Sequence, residues 1–366
     1  MVCLAQPYPP NYGGAVDMFY KLKELHNAGI DITLHVFLYG KNKKSEELTR
    51  FASKVFYYKR YTGLISQLGI KPYIVKSRQN QKLLRNLCVD DSPILFEGIH
   101  TCAFLGHPLL RNRYKIVRMH NIEHEFYRKL ASYHPFSWRA LFFKIEAWKL
   151  ERYEKILECA NKILAISSAD VAQLQERYPN NEIKLLNCFF DNTAVSGVTE
   201  TNPFLLYHGN LSVAENIHVV EYLISEIAPN VKCELVIAGL NPSEGLRKRA
   251  SAVSNVKLVA NPSEKQMCEL IASAQINILI TFQHTGVKLK LLNALYKGNG
   301  HIIANGDMLY GTKVDTLCVR ADKTSEILQA INRLMTEKMP KEQVLLRREK
   351  ISNLGYNRID EIVEIR

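Results

Sequence analysis

The sequence has no run approaching the ~18–20 apolar residues a membrane-spanning helix requires, so none is expected. Its eight cysteines, Cys3, Cys88, Cys102, Cys159, Cys188, Cys233, Cys268 and Cys318, form no C-x-x-C pair. Most sit in apolar stretches, which reads as buried thiols in a reducing cytoplasm rather than disulfides or zinc ligands. Neither G-x-G-x-x-G nor G-x-x-x-x-G-K-[ST] occurs, which counts against a dehydrogenase or an ATPase. Low-complexity tracts and fixed-period repeats are missing too, which excludes disorder and solenoids. The opening Met1-Val2-Cys3-Leu4-Ala5 lacks a basic leader. It reads as the end of a first strand and not as a signal peptide.

What is present is ordinary globular composition, 47% hydrophobic and 23% charged, over 366 residues. That length exceeds one ordinary core and predicts two domains. The formal charge of +12 is uneven: from Lys41 to Asp90, twelve basic residues face Glu46, Glu47 and Asp90, a net of +9. This stretch reads as a solvated surface or as a face for anionic lipid or nucleic acid. A known nucleic-acid module would interleave aromatic and basic residues, and that pattern is lacking, so no nucleic-acid partner is expected.

Strand-like and helix-like segments alternate throughout, which predicts parallel sheets with crossover helices. After Val2–Gln6, a helix carries Val16, Phe19, Tyr20, Leu22 and Leu25 on its apolar side and ends at Asn27-Ala28-Gly29. Strands follow at Ile30–Leu38, Ile94–Phe96, Lys115–Met119 and Lys162–Ile166. A helix over Trp138 to Glu158 places Trp138, Leu141, Phe142, Ile145 and Trp148 near one face. That face fits an interfacial membrane helix, but a core helix is the preferred reading. A linker is placed at Asp191–Asn202. Further strands are expected at Phe204–Tyr207, Glu234–Ala238, Val256–Leu258 and Ile276–Phe282, and helices at Ala214–Ile227 and Val287–Tyr296. Asn357–Arg366 is expected to be helical.

Helix starts expose free N–H groups and a positive dipole end, which suits diphosphates. Gly13-Gly14 opens the first helix and lets a ligand approach the backbone, although Gly-Gly also simply makes a tight turn. Gly209 with Asn210, and Gly239, follow later strands. Thr285-Gly286-Val287-Lys288 combines backbone donors, a hydroxyl and a lysine at one helix start. Lys290 is read as surface. His120 follows the strand Lys115–Met119, where a polar residue points into a ligand crevice; a structural histidine competes with that reading. His100, Glu123 and His124 lie near in sequence, but H-E-x-x-H geometry does not apply and no metal is expected.

Together these segments resemble family-four retaining glycosyltransferases of the cell-surface polysaccharide type. Pro7-Tyr8-Pro9-Pro10 with Gly13-Gly14 is similar to that family's first loop. Lys115–Glu125 resembles the strand carrying its active-site histidine, here His120, and Leu164–Asp170 resembles a further strand and turn. Tyr207–Leu211 with Glu215-Asn216 resembles the opening of the donor domain, and Thr285–Gly298 its donor-binding segment. The resemblance implies an α/β GT-B fold, two Rossmann-like domains with parallel sheets facing a central cleft. The domains would be 1–190 for the acceptor and 203–350 for the donor, with 351–366 crossing back to the first. It implies sugar transfer from a nucleoside-diphosphate sugar to a glycan or lipid-linked acceptor, with retained configuration and no cofactor. His120 would be catalytic, and Gly13, Gly14, Gly209, Asn210, Gly239, Thr285, Gly286, Val287 and Lys288 would contact the donor. The chain departs from the family where paired glutamates fall on Thr285 and Asn293, and where a lysine and an arginine fall on Glu215 and Asn210. A non-catalytic sugar-nucleotide-binding protein therefore remains the rival. The expected location is cytoplasmic, docked at the inner face of a membrane through the basic first domain.

Overall fold

The computed structural model describes the chain apart from residues 41–42, 133–136, 194, 196, 199, 283–287 and 365–366 and the side chains of 64 and 65. It contains two parallel sheets connected by helices. The first comprises β1 (Val2–Cys3), β2 (Thr33–Leu38), β3 (Lys54–Lys59), β4 (Ile94–Glu97), β5 (Lys115–Arg118), β6 (Lys162–Ala165) and β7 (Glu182–Leu185), in the order β3-β2-β1-β4-β5-β6-β7. Strands β4, β5 and β6 are buried at every position, as a sheet covered on both faces requires. Side-chain alternation splits them between two cores. Val2, Phe96, Val117 and Ile163 enter one; Cys3, Leu95, Ile116 and Leu164 enter the other, with Met18 and Leu22 of the helix Gly13–Asn27.

The second sheet comprises β8 (Asn202–Asn210), β9 (Glu234–Leu240), β10 (Val256–Ala260), β11 (Ala274–Leu279), β12 (His301–Ala304) and β13 (Val319–Arg320), in the order β10-β9-β8-β11-β12-β13. Leu205, Tyr207, Leu235, Ile237, Ile276 and Ile278 form its core with Val219, Val220 and Ile331 of the covering helices. The chain divides into two compact units. One holds Met1–Phe189 and Asn357–Arg366; the other holds Phe190–His284 and Lys288–Tyr356. In the first unit the Lys162 ammonium donates to the carbonyls of Glu361 and Glu364, each at 3.2 Å, and Ile362 enters the core. Among the described residues of this terminal segment the α-helix runs over Asp360–Val363.

The helix Trp138–Tyr153 departs from the core reading. It buries Ala140, Ala147 and Leu150 and leaves Trp138, Leu141, Ile145 and Trp148 exposed. Both sets recur at helical spacing, so periodicity could not say which one faces inward. The eight cysteines are free thiols; Cys3, Cys102 and Cys188 are buried, whereas Cys88 and Cys159 are exposed.

Candidate functional site

In the first sheet β1 lies between β2 and β4, so the strand order reverses there. Such a switch point opens a crevice at the carboxyl ends of the strands. The helix Gly13–Asn27 starts beside it, with Tyr12 at the cap position and no side-chain capping bond. Asp17 and Lys21, one turn apart, lie on the buried face of this helix. Glu97 ends β4 and Arg118 ends β5, in register with each other. The Lys21 ammonium bonds Asp17 at 2.9 Å and Glu97 at 2.8 Å. Arg118 is fully buried; it lies 3.4 Å from Asp17 and donates to the carbonyls of Ala165 and Leu186. The backbone N–H of Phe189 also donates to Asp17, at 2.8 Å. His120 Nε2 meets Glu97 Oε2 at 2.9 Å, and its Nδ1 is 3.7 Å from Asp17. Burial alone would raise both carboxyl pKa values, but Lys21 and the neighbouring cations hold them below the usual range.

This arrangement fixes the His120 ring against a carboxylate already neutralised from behind. Asp17, Glu97 and His120 present ligand atoms within 4.8 Å of one another. The Lys21 ammonium occupies the same carboxylate oxygens, so a divalent ion would have to displace it. Gly98, at φ 71°, permits the packing: a Cβ there would lie 2.9 Å from His100 Nδ1 and 3.6 Å from His120 Cδ2. Burial and the charge of Arg78 hold His100 well below its ordinary pKa.

Arg78 is buried and donates to the carbonyls of Leu4 (2.7 Å) and Ile74 (2.6 Å). Burial and nearby Arg60 push it down to about 9. Arg60 bonds Ser77 Oγ at 2.9 Å and stacks on Tyr39 and Tyr73. Part of the basic stretch is thus interior rather than surface charge. The buried carboxyl of Glu123 is pushed up to about 7, chiefly by burial. His124 bonds Glu154 at 2.8 Å, and Arg177 joins that carboxylate at 2.9 Å, tying helices together away from His120.

The second sheet reverses at β8, between β9 and β11. Gly209 and Gly239 face each other in register. A Cβ on Gly239 would lie 1.9 Å from the Gly209 carbonyl oxygen, so glycine there lets the strand ends close. The Asn210 side chain accepts from the Ser212 backbone at 3.0 Å, and its carbonyl accepts from Asn216 at 2.9 Å. Lys288 is half-buried immediately before the helix Leu289–Lys297, and its carbonyl accepts from Leu291 and Leu292. Thr285, Gly286 and Val287 lie outside the described residues.

Lys290 corrects the surface reading. Its ammonium lies 2.8 Å from Asn216 Oδ1, 3.2 Å from the Tyr207 hydroxyl and 5.1 Å from the Tyr207 ring centre. The Lys290 side chain thus reaches Tyr207 of β8 and Asn216 of the helix that follows it; its spacing from Lys288 alone does not reveal that. Burial lowers its pKa to about 8, with Glu215 opposing and Lys288 reinforcing the shift. Glu215 itself accepts a hydrogen bond from the Thr281 hydroxyl. Asp17, Lys21, Glu97, Arg118, Arg78 and Lys290 all escaped the sequence reading. A visible signal was Asp17 and Lys21, four apart beside apolar residues of the first helix.

No family model matches the chain. An uncharacterised 44.6 kDa protein in the cps region of Klebsiella pneumoniae is 24% identical over 308 residues, covering 79% of this chain and 78% of that protein. Among solved structures, a sucrose-phosphate synthase from Thermosynechococcus elongatus superposes with a TM-score of 0.69 at 12% identity, covering 97% of this chain and 94% of that one. A trehalose-phosphate synthase from Burkholderia xenovorans, in complex with glucose-6-phosphate, gives 0.63 at 10% identity, with coverages of 98% and 96%. The Anabaena protein HepE, in complex with UDP and glucose, gives 0.57 at 13% identity, with coverages of 96% and 94%. The likeness establishes the fold, the α/β GT-B fold of glycosyltransferases.

Proposed function

We propose that the protein is a retaining glycosyltransferase that moves a sugar from a nucleoside-diphosphate sugar to a glycan or lipid-linked acceptor. The observation that carries this reading is the pair Lys288 and Lys290 at a helix start beside the β8/β11 switch point, Lys290 being half-buried against Tyr207 and Asn216. Fixed dipoles and lysine charge at that place stabilise the negative charge that develops on a departing diphosphate. The second unit is accordingly read as the donor unit, with Thr285, Gly286 and Val287 preceding Lys288 in sequence and Gly209, Asn210 and Gly239 at neighbouring strand ends.

The first unit receives the acceptor near Gly13 and Gly14, and His120, locked by Glu97, positions the transferred sugar. Asp17 and Glu97 are both engaged by Lys21, so neither is free to act as a nucleophile. That favours attack from the face the leaving group departs, with configuration retained. Arg60 and Arg78 have no ion-pair partner among the described residues, which favours an acceptor carrying an anionic group such as a lipid-linked phosphate. The reaction is assigned to the cytoplasm, in keeping with the free thiols, and needs no cofactor.

A second reading, sugar-nucleotide binding without catalysis, draws on Thr285 and Asn293 standing where the resemblance calls for glutamates. A thermal-shift screen of UDP-, GDP- and CMP-sugars tests both readings, because a ligand of the native state raises the melting temperature. Donor hydrolysis with and without a lipid-linked acceptor then separates them. No shift with any donor defeats both; binding without hydrolysis or transfer leaves the second.

A further inference from the structure

The helix Trp138–Tyr153 presents an apolar stripe to solvent. Trp138 is 87% exposed, Leu141 48%, Ile145 45% and Trp148 46%. They recur at spacings of three, four and three residues, which places them on one helical face over roughly 15 Å. A monomeric soluble surface rarely leaves a contiguous apolar patch of this kind, and two exposed tryptophans in it mark an interaction face.

The charges around the stripe identify its partner. Lys144 and Arg152 are the exposed charged residues on the stripe's side of the helix, and the Arg152 guanidinium lies 4.0 Å from the Trp148 ring centre. The carboxylates of the helix are already engaged. Glu146 is buried and paired with Lys149, and Glu151 is paired with Arg128 at 2.6 Å. The segment beside the helix continues the pattern. Lys149 donates to the Gln67 carbonyl and Tyr73 N–H to Glu146, which holds residues 67–73 against the helix with Ile70 78% exposed. A protein partner of mixed polarity would call for both signs of charge. Tryptophan with aliphatic side chains on one stripe and cations flanking it matches the headgroup–acyl boundary of an anionic bilayer.

We infer that this face docks the protein on an anionic phospholipid membrane, with the helix lying in the plane of the interface. The stripe would sit at the depth of the acyl-chain boundary while Lys144 and Arg152, which share its side of the helix, meet lipid phosphates. No helix among the described residues is long and apolar enough to span a membrane, so the association is peripheral and reversible. It stands apart from the proposed sugar transfer, and its test requires no substrate.

The protein reports its own docking, because Trp138 and Trp148 are the two tryptophans of the chain. The full chain is titrated with vesicles of phosphatidylglycerol and phosphatidylcholine, and with phosphatidylcholine vesicles alone. The tryptophan emission is expected to shift to the blue and to be quenched by lipids brominated near the top of the acyl chain. Both effects should weaken as salt rises and fall sharply without the anionic lipid. Trp138→Ser with Trp148→Ser should lower vesicle sedimentation about ten-fold or more. Reversal of Lys144 and Arg152 to glutamate keeps the tryptophan signal and should lower partitioning about five-fold per charge. Unshifted emission and protein left in the supernatant with anionic vesicles at low salt would overturn the inference. So would a blue shift that grows with protein concentration without lipid and disappears in Trp138→Ser, since that assigns the face to a second copy of the chain.

Discussion

Replacing Lys290 by methionine keeps the length and the apolar stem of the side chain and removes its charge. An ammonium has three protons to donate. Among the described residues Asn216 and Tyr207 accept two of them, at 2.8 and 3.2 Å, and the third is the one proposed for a phosphate oxygen. A charged hydrogen bond contributes about 1.5–3 kcal/mol, so Lys290→Met should weaken UDP binding roughly ten-fold to a hundred-fold. The pKa of about 8 adds a signature that simple loss of packing would lack. A bound diphosphate raises the pKa of Lys290 above its value in the free protein. The favourable contribution is therefore fully present below about pH 8 and is lost as pH rises toward the pKa of the complex, by up to about ten-fold per pH unit. Lys290→Met removes this dependence. Stability runs the other way. The folded pKa lies below the unfolded value of 10.5, so holding the charge costs at most about 3 kcal/mol below pH 8, and that cost fades between pH 8 and 10.5. The variant should consequently melt no lower than the wild type at pH 7. Titration calorimetry with UDP from pH 7 to 9.5, in two buffers of different ionisation enthalpy, measures affinity and proton uptake together. If wild-type affinity is flat across that range and the variant binds equally well, Lys290 is not at the nucleotide.

Lys288→Ala should weaken UDP binding about ten-fold or more by calorimetry while the fold is retained; unchanged affinity removes Lys288 from the donor site. His120→Ala should lower transfer strongly with little change in UDP affinity, and normal turnover in that variant removes His120 from the mechanism. Glu123 has a folded pKa near 7, above the unfolded 4.5, so its burial is uncompensated once pH passes 4.5 and costs up to about 3 kcal/mol above pH 7. Urea unfolding at pH 5 and pH 8 should then show Glu123→Gln gaining on the wild type at the higher pH, and a gap that does not change with pH contradicts the assignment.

Much of the fold was readable because buried parallel strands are near-continuous apolar runs separated by helical periods. Ile94–Glu97 and Lys162–Ala165 are of that kind, and each is buried throughout. Boundaries were less legible. The strand expected from Ile30 begins at Thr33, and the helix expected from Val287 has Leu289 as its first described helical residue. Hydrophobicity records which residues avoid water, whereas the ladder begins where a neighbouring strand comes within hydrogen-bonding reach. The helix Trp138–Tyr153 exposes a deeper limit. Large apolar residues attract the inward assignment, yet Ala140 and Ala147 face inward because helix packing at close range favours small side chains.

The polar interior was harder to read for a related reason. Charged residues are expected outside because isolated burial is costly, so Asp17 and Lys21 give no local signal, and Lys290, two residues from Lys288 and on another side of the helix, reads as surface. Burial becomes tolerable only when partners converge from distant parts of the chain. Lys21 requires Glu97, 76 residues away, and Asp17 requires Arg118, 101 residues away. Such partnerships follow from strand order, because β1 and β4 become neighbours only once the sheet reverses at β1. The same holds in the second sheet, where Lys290 meets Tyr207 and Asn216 through the pairing of β8 with β11. His120 was visible because its place at a strand end is local. The groups that hold His120 and that line the helix start near Lys288 are products of topology, and they give each sheet a buried ionic or polar cluster at its switch point.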